Sequence, residues 1–199
     1  MWVKEKSCKL NLIKKLLFVA TFLFFTNSSF ADLQKKIINE LTGTTTLAFD
    51  FKQTISNKNE VGSCLIKYPL LMNCKYQNAK QKIIISNGRT VAIIKKKYKK
   101  IYLYPVKSTP LFFILKKEKI INLIRNTKPI KINSDLIEFI FIDKKKNKVK
   151  ILFDKNSFEF KGWETKDSYS NKVSFEINNL IINNQILDNF FKIPQEKDL

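Results

Sequence analysis

Three cysteines and not one histidine set the chemical limits of this 199-residue chain. Histidine-dependent triads and histidine acid–base catalysis are excluded. Cys64 and Cys74 do not have the spacing of a CxxC metal motif. With no histidine to complete a ligand set, they do not suggest a zinc site. The absence of a GxSxG nucleophile motif also argues against an enzyme, a pair of carboxylates stays open as a catalytic device, and no cofactor is expected. The two cysteines suit a different chemistry. "GSCLIKYPLLMNCKY" reads as two strands around a tight connection near Pro69. Folding that hairpin about residue 69 sets positions 64 and 74 opposite each other, with Cβ atoms close enough for a disulfide. The alternative is a pair of small, buried, reduced thiols.

The N-terminus bears on which of these holds. Lys4, Lys6, Lys9, Lys14 and Lys15 precede the uncharged run "LLFVATFLFF", and a polar stretch ends at Ser29-Phe30-Ala31. A basic head, an apolar core of about ten residues and small residues at −3 and −1 make a secretory signal peptide, residues 1–31. A retained anchor would need about twenty apolar residues. Cys8 lies before the apolar core, so it is not the cysteine that is lipidated in an exported lipoprotein. Export would favour oxidation of Cys64 and Cys74. Residues 32–199 then form one domain with a real core.

The net charge of +20 becomes +16 once the leader's five lysines and one glutamate are removed. Such a balance raises nucleic acid or an acidic membrane surface as partners. The lysines are spread along almost every segment, however, and only "KKKYKK" and "KKKNK" cluster, where hairpin turns are expected. Solvated turns and no nucleic-acid partner are the reading, with attraction to anionic headgroups kept open.

Most of the chain reads as strands. "LAFDFKQT" puts Leu47, Phe49 and Phe51 on one face and Ala48, Asp50 and Lys52 on the other. "KIIISNGRTVAII" is a hairpin around Asn87-Gly88. "KIYLYPV", "DLIEFIFID", "KVKILFD", "SFEFKGWE" and "KVSFEINNLII" continue the series. Many short strands at regular spacing predict one large, curved antiparallel sheet. Two stretches read as helix. In "DLQKKIINELTG", Leu33, Ile37, Ile38 and Leu41 share a face and Gly43 is a stop. In "TPLFFILKK", Thr109 is a candidate cap, Pro110 suits the first turn, and Lys116 and Lys117 suit the negative end of the dipole. This second helix has no polar face, so it must be covered on most sides.

Several ordered pieces carry a resemblance. They are "FDFKQ", G-x-x-x-x-K-Y-P from Gly62 to Pro69, "LMNCKY", "YPVKSTPLFFIL", the Gly162-Trp163-x-x-x-Asp167 step and the closing Phe-x-x-Pro from Phe191 to Pro194. In this order and spacing the chain resembles the LolA family, periplasmic carriers of outer-membrane lipoproteins. The resemblance implies a mainly β fold with short helices: an incomplete, unclosed antiparallel β-barrel with a helical lid over an apolar cavity for acyl chains. Lid contacts map onto Leu41, Ile114 and Phe160, with Leu111, Phe112 and Leu115 also facing the barrel and Phe49 and Phe51 lining it. Met72 takes a family aromatic position near the cavity mouth, where a flexible thioether adapts to variable chains. One position departs. The family usually carries arginine before the proline of the second strand, tied to lid closure; here it is Tyr68, which cannot make a forked, charged contact.

The partners implied are acylated lipoproteins, an inner-membrane ABC lipoprotein-releasing transporter of the LolCDE kind, and an outer-membrane receptor of the LolB kind or the outer membrane directly. The carrier is expected to be monomeric. Two other readings stand beside it: a static envelope lipid-binding or stress-sensing module on the same fold, and a small exported enzyme. Periodicity alone makes Phe49, Phe51, Ile83, Ile85, Val91 and Ile93 plain core. Trp163 and Asp167 read as structural, packing and turning a hairpin.

Overall fold

The computed structural model describes residues 28–133, 135–142, 148–167 and 169–199. Nearly all of the leader lies outside them. The chain divides at Lys36 into a short N-terminal unit and the main unit, Ile37–Leu199.

Helix α1 (Ser28–Gly43) is followed by β1 (Thr46–Ile55), β2 (Lys58–Lys67), β3 (Leu71–Tyr76), β4 (Lys82–Asn87), β5 (Thr90–Lys95) and β6 (Lys100–Pro105). Helices α2 (Leu111–Leu115) and α3 (Lys117–Asn126) come next. The strands then resume as β7 (Lys131–Ile132), β8 (Leu136–Ile142), β9 (Lys148–Asp154), β10 (Phe160–Lys166) and β11 (Lys172–Ile182). All eleven strands form one antiparallel sheet, ordered β6-β5-β4-β3-β2-β1-β11-β10-β9-β8-β7. The two ends of that order do not pair, so the sheet is unclosed, as the family resemblance implies.

Three expectations about helices need correction. α3 is a third helix, in a stretch where none was expected. Its Ile120, Leu123 and Ile124 are buried at helical spacing, but they are sparse among charged residues and follow the α2 run after a single break. Lys116, at φ −104° and ψ 85°, makes that break. Lys117 therefore begins α3 and does not end α2. Thr109 does not cap α2 with its side chain; its hydroxyl donates back to the Val106 carbonyl. Pro110 is the residue that leads into α2, already in helical conformation.

Alternation sorts the strand residues onto two faces. The inner face carries Leu47, Phe49 and Phe51 of β1, all buried, while Asp50 and Lys52 point out. On the outer face, the C-terminal segment covers β3 to β6. Ile193 and Leu199 pack on the cluster of Ile85, Ala92 and Ile94, and Asn73 Nδ2 donates to the Phe190 carbonyl at 2.6 Å. Toward the other end, Lys150 pairs with Glu138 and Glu164, and Glu164 with Lys172, a ladder of charges across four neighbouring strands.

The hairpins explain the quoted pieces. Cys64 and Cys74 are opposed across β2 and β3 and joined by a disulfide. Gly62 lies under the Phe51 ring, where a Cβ would fall 2.1 Å from the Lys75 carbonyl oxygen. Asp167 turns the β10–β11 hairpin: its Oδ1 accepts the Tyr169 and Asn171 amides and its Oδ2 the Asn171 side-chain amide. Those bonds, led by that of the Asn171 side chain, hold its carboxyl below the usual range. Gly162 sits at a register shift between β9 and β10 with φ +138°. A Cβ there would meet the Phe175 carbonyl oxygen at 2.0 Å. Gly162→Ala is expected to cost roughly 2–4 kcal/mol, measured by denaturant unfolding; a loss below about 0.5 kcal/mol would show that the bulge relaxes freely.

Candidate functional site

The inner face is the candidate site. Register places Cys64 and Ile66 of β2 and Met72, Cys74 and Tyr76 of β3 on the same side as Phe49 and Phe51. In the other direction the face runs through Phe175 and Ile177 of β11, Trp163 of β10, Ile151 and Phe153 of β9, and Ile137, Phe139 and Phe141 of β8. Its rings form a continuous row. Phe51 stacks on Phe175 at 4.6 Å, Phe175 on Trp163 at 4.1 Å and Trp163 on Phe160 at 5.8 Å; Phe160 meets Phe153 at 5.9 Å. Phe139 then meets Phe153 edge-on at 6.1 Å.

Helix α2 meets this face at Phe141 of β8. Phe113 stacks on Phe141 with ring centroids 4.0 Å apart and planes 17° from parallel. Phe113, Ile114 and Leu115 are buried, Leu111 and Phe112 half-buried. The deepest aromatic contact of the helix is thus made by Phe113, a residue that the family positions did not single out. Its signal was its place between Phe112 and Ile114 in a helix with no polar face. Leu41 and Phe160 come together around a recess also bordered by Leu47 and Ile182. That recess holds about 10 Å³, room for one water. Ile114 is fully buried but does not border it. Ligands of modest size fill pockets of roughly 300–1,000 Å³.

The fastening of α2 and α3 is polar and local. The Leu70 amide donates to the Leu115 carbonyl at 2.9 Å, tying the β2–β3 connection to the end of α2. Leu70 is itself held by its carbonyl, which accepts the buried Ser86 hydroxyl at 2.6 Å. Lys117 Nζ donates to the carbonyls of Thr42 at 3.1 Å and Thr44 at 2.6 Å. These carbonyls lie at the negative end of α1, where a cation is favoured. Lys117 also stands 5.7 Å above the Tyr68 ring, within cation–π range.

Tyr68 follows from its surroundings. Its amide donates to the Thr45 carbonyl at 2.9 Å, and its hydroxyl is buried with no hydrogen-bond partner among the described residues. Burial, aided by the nearby Glu118 carboxylate, pushes the phenol well above its ordinary value. It stays neutral and supplies a ring face rather than a charge. Among the described residues, no group of three or more Cys, Asp or Glu side chains is placed to hold a metal. No described helix is long and apolar enough to cross a membrane.

The model of the family described as outer membrane lipoprotein carrier protein LolA matches residues 42–194. The chain belongs to the LolA family. The match takes in the whole sheet, α2 and α3, Tyr68 and the closing Phe191-to-Pro194 piece. Solved structures of similar fold include a LolA superfamily protein from Nitrosomonas europaea, 10% identical, covering 82% of this chain and 97% of that one with a TM-score of 0.43. Another is a putative outer membrane lipoprotein-sorting protein domain from Vibrio parahaemolyticus, 12% identical, covering 78% and 94% with a TM-score of 0.44. The Pseudomonas aeruginosa MucA/MucB complex contains a chain 9% identical, with coverage of 83% and 62% and a TM-score of 0.48. No curated protein sequence matches the chain at a significant level.

In this LolA-family chain, Lys117 sits at the start of α3 and reaches the end of α1 and the Tyr68 ring. Lys117→Met keeps the stem and removes the charge. It is expected to loosen α2 and α3 by about 1–2 kcal/mol, read as several-fold faster amide hydrogen exchange across residues 111–126. Unchanged exchange there would contradict a fastening role. Tyr68→Phe removes a hydroxyl with no partner, so thermal unfolding should report a change within about 1 kcal/mol, neutral or stabilising.

Proposed function

We propose that the chain is a periplasmic carrier that takes the acyl chains of lipoproteins onto its inner face and moves them from the inner to the outer membrane. Residues 1–31 are then a cleaved leader and residues 32–199 the working domain. The observation that carries the reading is a helix apolar all round, with three buried side chains, one of them stacked on the aromatic inner face, and fastened by a few polar links.

The magnitudes fit an exchange. Burying Phe113, Ile114 and Leu115 is worth roughly 1.5–3 kcal/mol each. A long acyl chain leaving water gains on the order of 10 kcal/mol. A face bare of cover would hold its cargo too tightly to pass it on. Here loading replaces one apolar packing with another of similar worth, which keeps net affinity moderate. Since the closed arrangement is well packed, loading calls for an energy source, and an inner-membrane ABC transporter of the lipoprotein-releasing kind is the proposed one. Release is to an outer-membrane receptor or to that membrane itself.

Leu41, Phe49, Phe51, Met72 and Phe160 are the proposed face for cargo, and Leu111, Phe112, Ile114 and Leu115, with Phe113 added, the proposed lid. Lys117 is the proposed stand-in for the family arginine. It supplies from the start of α3 a cation that the family supplies from the position held here by Tyr68. Such a carrier needs no catalytic group or cofactor.

The test uses the mature protein incubated with the transporter, ATP and membranes holding a triacylated lipoprotein, followed by native mass spectrometry. One cargo molecule per chain is expected, with less than a tenth of that when ATP is omitted. Failure to acquire acylated cargo under full conditions would sink the carrier reading. Equal loading without transporter or ATP would favour a static lipid-binding module.

A further inference from the structure

The β5–β6 hairpin is strongly basic and rich in tyrosine. Residues 95–107 hold six lysines (Lys95, Lys96, Lys97, Lys99, Lys100 and Lys107), three tyrosines and no acidic residue. Its turn is a short 3-10 segment, Lys96–Tyr98, followed by Lys99 in left-handed conformation. β6 is an end strand of the sheet, and five of its six residues are exposed. Tyr98, Tyr102, Leu103 and Tyr104 are 52%, 43%, 60% and 44% exposed. Register puts Tyr102 and Tyr104 on the inner-face side, opposite Ile93 and Val91, and Leu103 on the outer side, opposite Ala92. Lys95 Nζ stands 5.0 Å over the Tyr102 ring.

An exposed edge of this kind invites a pairing strand, but the backbone argues against one. The Ile101 amide points away from the sheet and donates to Glu196 Oε1 at 3.0 Å. By alternation Leu103 and position 105 point the same way, and Pro105 has no amide hydrogen. The outward edge therefore offers an added strand one free amide, that of Leu103. Fewer free amides also lower the cost of laying the edge against a poorly hydrated surface. Tyrosine and leucine flanked by lysine is the composition that settles at a bilayer interface, rings and chain among the headgroups and cations on lipid phosphates.

We propose that the β5–β6 hairpin is a docking surface for anionic phospholipid bilayers, through Lys97, Lys99 and Lys100 with Tyr102, Leu103 and Tyr104. This deepens the carrier reading. The tyrosines continue the inner face to the open edge of the sheet, so a docked carrier presents that face to the membrane that receives its cargo. Glu196 is a carboxylate placed beside this edge, where it accepts from the Ile101 amide.

The test is co-flotation of the cargo-free mature protein with vesicles of phosphatidylcholine alone and of phosphatidylcholine with about one third phosphatidylglycerol. Binding is expected on the anionic vesicles alone and is expected to fall with added salt. Lys97→Gln with Lys99→Gln should weaken it roughly 30-fold, at about five-fold per neutralised lysine. Leu103→Ser should weaken it further at high salt, where the apolar contribution dominates. Lys58→Gln with Lys155→Gln, exposed lysines elsewhere, should leave it within about two-fold. Equal loss in both lysine pairs would overturn the proposal in favour of bulk charge. So would binding of an acidic polyglutamate peptide at this edge with none to vesicles, which would point to a protein partner. Circular dichroism confirms that each variant is folded. Vesicle binding and cargo acquisition are read separately: a chain that loads cargo but ignores vesicles overturns only this surface, and the reverse overturns only the carrier.

Discussion

An unclosed antiparallel sheet with an aromatic inner face must be covered, and that requirement shapes the rest of the molecule. A closed barrel would bury its own interior. This sheet leaves β6 and β7 unpaired at its ends, so its inner face needs separate elements to exclude water. Phe51, Phe175, Trp163, Phe160 and Phe153 form a row that no neighbouring strand can hide. A helix with no polar side is the natural cover for such a row, because any polar side chain facing it would be buried without a partner. α2 buries Phe113, Ile114 and Leu115 and stacks Phe113 on Phe141 at the β8 end of this face.

Cover by contact alone would be loose, and the polar links determine where α2 stops. The Leu70 amide and the Leu115 carbonyl join the β2–β3 connection to the helix end, and Ser86 braces Leu70 from behind. Lys117 reaches the last carbonyls of α1. These links run to backbone groups, which do not move when side chains repack, so they can re-form after any excursion of the helices. Tyr68, neutral and with its hydroxyl buried, is consistent with this division: the ring packs and the charge sits elsewhere.

The outer face is handled by different physics. Lysine–glutamate pairs cross β8 to β11, and the C-terminal segment packs on β3 to β6. Both leave the inner face free for its own cover. The β5–β6 end escapes both devices at its tip, which leaves lysine and tyrosine exposed together.

The strands, the hairpin at Asn87-Gly88 and the opposition of residues 64 and 74 were legible in the sequence, because a period of two and a tight turn are local signals. So was the apolar character of residues 111–115. The missing histidine alone excluded whole classes of catalysis. The fold family could be read from short ordered pieces, and Gly162 and Asp167 now have reasons: a carbonyl that no Cβ can approach, and a turn that one carboxylate holds. The third helix was hidden, because three apolar residues among charges carry a weak periodic signal. The role of Lys117 was hidden too. From sequence it seemed to close the helix before it, and only packing reveals that the chain breaks at Lys116 and that Thr42 and Thr44, far back in the chain, come within reach. Likewise, nothing local distinguishes Phe113 from Phe112. Which ring goes inward depends on where Phe141 stands, and that is decided by the register of strands that come later in the chain. Local sequence determines which residues must be buried; tertiary structure decides against what, because burial partners are set by contacts between segments distant in the chain.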